Sequence, residues 1–112
     1  MMFEDHLNNE IILHENELGS IIQCKSCEKI AFTINNILYI CDEKEFHSLF
    51  EMVELVDQQL EDYIFEIMNK KFVVIDTRIK KINLIFSLNQ FEQLTELMNQ
   101  SKYMKEVHKL FC

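Results

Sequence analysis

The feature that most constrains the fold is an internal echo. Residues 82–98, INLIFSLNQFEQLTELM, answer residues 37–53, ILYICDEKEFHSLFEMV, each position standing 45 residues after its counterpart. Phe91 falls on Phe46, Leu94 on Leu49 and Leu97 on Met52. In both copies an aliphatic run passes directly into apolar residues spaced three and four apart, which is how a strand feeding an amphipathic helix reads. The architecture that follows is a strand-then-helix unit used twice.

Each strand-to-helix boundary carries three-part punctuation. Asp42 suits the N-cap, Glu45 completes a capping box three residues on, and Cys41 with Phe46 forms a hydrophobic staple. Ser87, Gln90 and the pair Phe86 and Phe91 repeat every part. In the first helix Phe46, Leu49, Phe50, Val53, Val56 and Leu60 make one stripe, and its end falls between residues 58 and 68. Residues 61–69 read as helix end or irregular connector because Phe65 breaks the stripe. The second helix buries Phe91, Leu94, Leu97 and Met98 and continues through Tyr103, Met104, Val107, Leu110 and Phe111. This extension either caps the sheet or pairs with a second subunit.

Ahead of the first copy, Glu10–Glu15 and Ile21–Cys24 read as a hairpin, with Gly19 available for positive φ in the turn. If Glu15 pairs with Ser20, His14 lies opposite Ile21 and the region of His6 comes near Cys27. Residues 29–34 alternate cleanly, Asn35-Asn36 turns, and Ile37–Cys41 returns. Ahead of the second copy, residues 71–77 form a strand, Arg78–Lys81 the turn and Ile82–Phe86 its partner.

At 112 residues and 48% hydrophobic content the chain is one domain, 1–112, with a first unit over about 20–60, a second over about 71–100 and a helical extension over 101–112. No apolar run reaches the ~18 residues needed to cross a bilayer, and the start resembles no export signal. The expectation is a cytoplasmic protein that contacts no membrane and whose four cysteines stay as thiols or ligate metal. A net charge of −8 repels phosphate backbones and argues against nucleic-acid binding. Lys70, Lys71, Arg78, Lys80 and Lys81 nonetheless hold five of the 11 basic residues, a basic pole suited to an acidic partner or to guarding a strand edge. With one Gly and no Pro, neither a phosphate-binding loop nor a nucleophile elbow is available.

Cys24-Lys-Ser-Cys27 has the spacing that lets two sulfurs face one ion, half of a four-ligand zinc site. Further ligands would come from His6, His14, Cys41, His47, His108 or Cys112; His14 is the first choice because it lies in a strand. The usual zinc knuckle has Gly after its second Cys, and here Glu28 follows. Two other readings stay open: a redox pair with Cys24 as nucleophile and Cys27 as resolving thiol, or two thiols in a turn. Cys41 is explained as a staple residue, and His47 as a solvent-facing one. His108 suits the helix C-terminal dipole. No catalytic constellation stands out.

The run Gly19-Ser-Ile-Ile-Gln-Cys24-Lys-Ser-Cys27-Glu-Lys-Ile-Ala-Phe32, followed by Asn36-Ile-Leu and Glu45-Phe46, resembles a family of short Bacteroidota proteins of unknown function. Its pattern is a Cys-x-x-Cys, an aliphatic-x-Phe strand, an Asn-aliphatic strand and an acidic-Phe helix start, and the resemblance covers residues 14–98. It implies that a His ahead of the Cys pair, here His14, belongs with it. It implies no particular activity.

These readings converge on an α+β domain of about six antiparallel strands in two sets, each followed by a helix packed on one sheet face, a duplicated strand-strand-helix unit. The function expected is that of a non-enzymatic interaction or regulatory module, with zinc at Cys24, Cys27 and His14 as a stabiliser. Self-association as a homodimer, or a protein partner, would be mediated by a sheet edge or the C-terminal helix. The alternatives are a thiol redox enzyme using Cys24 and Cys27, and an acidic protein that occupies a nucleic-acid-binding partner.

Overall fold

The computed structural model describes residues 10–76 and 83–111. Four strands come first: β1 (Glu10–Glu15), β2 (Gly19–Cys24), β3 (Ile30–Ile34) and β4 (Ile37–Cys41). They form one antiparallel sheet in sequence order. Helix α1 (Glu43–Gln58) and a 3-10 turn (Leu60–Tyr63) lead to β5 (Ile64–Ile67), β6 (Lys70–Asp76) and β7 (Asn83–Ser87), a second antiparallel sheet in order β5-β6-β7. Helix α2 (Leu88–Phe111) follows. The α+β class expected from the sequence is observed, with seven strands among the described residues where about six were expected.

Both helix starts form as the sequence dictates. Asp42 Oδ1 accepts from the Glu45 amide at 2.8 Å while Glu45 Oε1 accepts from the Asp42 amide at 3.1 Å. At the second junction Ser87 Oγ accepts from the Gln90 amide at 3.1 Å and Gln90 Oε1 accepts from the Ser87 amide at 2.9 Å. Such a box satisfies two backbone donors that a helix start otherwise leaves unpaired.

The additional strand is β5, in the stretch the sequence assigns to a connector. Its register is set by Met68 and Asn69, which adopt φ of 49° and 67° and so form the two-residue turn that lets Ile67 pair with Lys70. Neither residue is glycine, so the turn leaves little mark in the sequence.

The first hairpin has the expected register, His14 opposite Ile21 and Glu15 opposite Ser20, with a bulge between Ile12 and His14. Its glycine acts differently from the expectation. Gly19 does not take positive φ; it passes so close to β3 that a Cβ there would run into the Thr33 carbonyl oxygen. The turn itself is made by Asn16, whose Oδ1 accepts from the Leu18 amide at 2.9 Å and whose amide donates to the Gly19 carbonyl at 2.9 Å.

One core joins the layers. Leu13, Ile21, Ile30 and Phe32 from the first sheet, Val73, Ile75 and Phe86 from the second, Phe46, Phe50, Val53 and Val56 from α1, and Phe91, Leu94, Leu97 and Met98 from α2 are all buried together. Helix α2 touches β1, β2, β6, β7 and α1, and is the element shared by both sheets. Its last three turns add polar contacts to the packing of Met104: Ser101 is fully buried, and the Lys105 ammonium pairs with Glu43 at the start of α1. The Lys102 and Lys105 ammonium groups lie 4.4 Å and 5.4 Å from the Phe50 and Phe46 ring centres. Among the described residues, no helix is long and apolar enough to cross a membrane.

Candidate functional site

The Cys24–Cys27 turn closes the β2–β3 connection. β2 ends at Cys24, whose amide donates to the Lys29 carbonyl at 2.8 Å, so the four intervening positions fold into a tight loop. The Cys27 amide donates to Cys24 Sγ at 3.2 Å, and Ser26 Oγ lies 3.6 Å from the same sulfur. Glu28 takes φ of 57°, the left-handed conformation that glycine supplies in a knuckle turn. The loop therefore reaches that geometry without the glycine whose absence counts against it in the sequence, at a backbone cost of about 1 kcal/mol. The two Cα atoms are 5.7 Å apart and the sulfurs lie within disulfide-bonding distance.

The two sulfurs differ in access. Cys24 is wholly buried, whereas Cys27 is partly exposed. The attacking thiol of a redox pair has to be reachable, and the more reachable of the two is Cys27, whereas the redox alternative read from the sequence put Cys24 first.

His14 does not join the cysteines. Its position opposite Ile21 sets it three residues from Cys24 along β2, roughly 10 Å at strand spacing. Its Nε2 lies 3.0 Å from each carboxylate oxygen of Glu96 on α2. Asn16 Nδ2 donates to the same carboxylate and to the Gln93 carbonyl, each at 2.8 Å, and Gln93 Nε2 donates to Glu17 Oε2 at 3.1 Å. The amide of Asn16, and then His14, hold the Glu96 carboxyl below the usual carboxylate range. This strap ties the first hairpin to α2, and Asn16, Gln93 and Glu96 carry no sequence motif that marks it.

The remaining ligand candidates are dispersed. His47 is exposed and pairs with Glu51 one helical turn on, at 2.7 Å; His108 is partly buried near the end of α2. Cys41 is buried in its staple, and its thiol is pushed up to about 12, first by burial and then by Glu45, Asp42 and Glu43. It is inert at neutral pH. His6 and Cys112 lie outside the described residues, as do Arg78, Lys80 and Lys81 of the basic pole. Among the described residues, no three His, Cys, Asp or Glu side chains gather as a metal site would require.

A different surface stands out at β4. This strand is the last in its sheet, so one side faces no other strand among the described residues. The two-residue link Asn35-Asn36 closes on the Ile34–Ile37 pair, and alternation makes Tyr39 and Cys41 the residues bonded to β3. The amide and carbonyl groups of Leu38 and Ile40 point to the open edge. Ile37, Leu38 and Tyr39 are 50%, 48% and 42% exposed, and no residue of the strand is charged. Of the other outer strands, β1 has a bulge with Glu10 and Glu15 at its ends and β5 carries Glu66, whereas β7 is uncharged like β4 but exposes Ile85 as its one large apolar side chain.

A model described as a family of unknown function (DUF6686) matches residues 7–110, more than the span over which the sequence resemblance was drawn. No curated protein matches the chain, and no solved structure does.

Proposed function

Since the chain belongs to that family of unknown function, its residues must supply the argument, and we propose that it is a non-catalytic interaction module that assembles with a second copy of itself through the edge of β4. The observation that carries this reading is the uncharged β4 edge, where Ile37, Leu38 and Tyr39 are all exposed, in a chain whose net charge of −8 makes two copies repel at long range. Antiparallel pairing centred on Tyr39 sets Leu38 of each copy opposite Ile40 of the other and forms four backbone hydrogen bonds. The same register sets Asn36 opposite Asp42, an amide against a carboxylate, so the strand ends are complementary and not mutually repulsive. A non-catalytic role is supported by the engaged histidines: His14 and His47 both face carboxylates, Glu96 and Glu51, and not a nucleophile.

Sedimentation equilibrium tests the proposal. The wild-type chain should be dimeric at micromolar concentration, and Leu38→Pro should be a folded monomer. Proline removes an edge-facing donor and no bond to β3, so it is tolerated on this strand. A monomeric wild type, or a Leu38→Pro variant that still dimerises with native circular dichroism, would overturn the reading.

A further inference from the structure

We infer that Cys24 and Cys27 form a thiol–disulfide exchange site in which the partly exposed Cys27 takes up a low-molecular-weight disulfide and the buried Cys24 resolves it. Three features support this: the two Cα atoms stand 5.7 Å apart, the Cys27 amide and the Ser26 hydroxyl face Cys24 Sγ, and access differs between the two thiols. The Cys27 amide donates to Cys24 Sγ and so favours negative charge on that sulfur, as the sulfur that attacks second requires.

The chemistry balances in two steps. The Cys27 thiolate attacks one sulfur of the small disulfide RSSR; a Cys27–SR bond forms, the S–S bond of RSSR breaks, and RS⁻ leaves to take a proton from water. Cys24 then attacks the Cys27 sulfur and expels the second RS⁻, which carries off the Cys24 proton as RSH. The two protein thiols are oxidised by two electrons and RSSR is reduced to two RSH. Closure needs no large rearrangement, because the loop from Cys24 to Lys29 holds the Cα atoms 5.7 Å apart. The site is separate from the β4 edge, so this inference stands or falls independently of the dimer.

The test uses the full-length chain with Cys112→Ser, reduced, then mixed with oxidised glutathione, acid-quenched at intervals and mapped by peptide mass spectrometry. The expected result is glutathione transiently on Cys27 alone, followed by a Cys24–Cys27 peptide two hydrogens lighter than its reduced form. Cys24→Ser should hold the Cys27 mixed disulfide, and Cys27→Ser should lose all modification at position 24. Glutathione appearing first on Cys24, or a pair that stays reduced while Cys41 or no cysteine reacts, would overturn the assignment. So would stoichiometric zinc released from the reduced chain only on Cys24→Ser or Cys27→Ser. The time course on unmutated Cys24 and Cys27 decides the order of attack even if a variant fails to fold.

Discussion

The β4–α1 and β7–α2 junctions begin alike and end differently. Each has a buried residue closing the strand, Cys41 or Phe86, then a capping box, then a phenylalanine sealed into the core, Phe46 or Phe91. Past that point α1 stops at Gln58 after 16 residues and gives way to a 3-10 turn and β5, whereas α2 runs for 24 residues. The last turn of α1 has no basic residue, and the chain beyond it is claimed by the β5–β6 turn at Met68-Asn69. Helix α2 finds α1 alongside it and extends over Phe46 and Phe50 through Lys102 and Lys105. Helix starts are set by a few neighbouring residues, and helix ends by what the next segment can pack against.

The largest test of this comparison is to truncate the two sealing phenylalanines. Phe46→Ala and Phe91→Ala should each cost about 3–5 kcal/mol in urea denaturation, since each deletes a fully buried ring. Phe91→Ala should be the more damaging, because α2 contacts both sheets while α1 sits beside the first. If Phe46→Ala proves costlier by more than 1 kcal/mol, the shared-spine account of α2 is wrong.

Alkali separates the junctions by a different route, because one staple residue titrates and its counterpart does not. The folded Cys41 thiol is raised from 9.0 to about 12, so the folded chain keeps a proton that the unfolded chain gives up. Stability from this site is intact below pH 9 and falls as pH rises toward 12, with a slope of about 1.4 kcal/mol per pH unit. Cys41→Val should remove that slope. Between pH 9 and 11 the wild-type urea midpoint should therefore fall relative to that of the variant, whatever the sign of the gap at pH 8. A constant gap across that range would mean Cys41 is not shielded as its burial implies.

The cap residues, the strand from Ile37 to Cys41, the register of His14 and Ile21 and the long second helix were legible because each rests on local chemistry: a side chain three residues from an amide, a link of two or four residues, or apolar positions three and four apart. β5 was not, because Met68 and Asn69 reach positive φ without glycine and Ile64 and Ile67 fit a helical stripe as well as a strand. Gly19 was recognised as special for the wrong reason, since its need is steric clearance from Thr33, a contact 14 residues away in sequence. The site followed the same division. Cys24 and Cys27 were evident from spacing, but which sulfur is reachable depends on how the sheet covers Cys24. His14 was drawn toward the cysteines because its true partner, Glu96, lies 82 residues away and carries no motif.

The smallest effect is the most specific to the comparison. Asp42→Ala and Ser87→Ala each remove one half of a capping box and should each cost about 1 kcal/mol. The junctions lie in different parts of the molecule and share no bonded residue, so the double variant should lose the sum of the two to within ~0.5 kcal/mol. Amide exchange supplies the local reading: Glu45 should lose protection in Asp42→Ala and Gln90 in Ser87→Ala, each without change at the other junction. Coupling well beyond that margin would mean that the start of α1 and the start of α2 form as one unit. The route for such coupling is visible, from Glu43 in the first turn of α1 to Lys105 on α2. Repeating the cycle with Lys105→Met, which keeps the buried stem and removes the charge, would then abolish it.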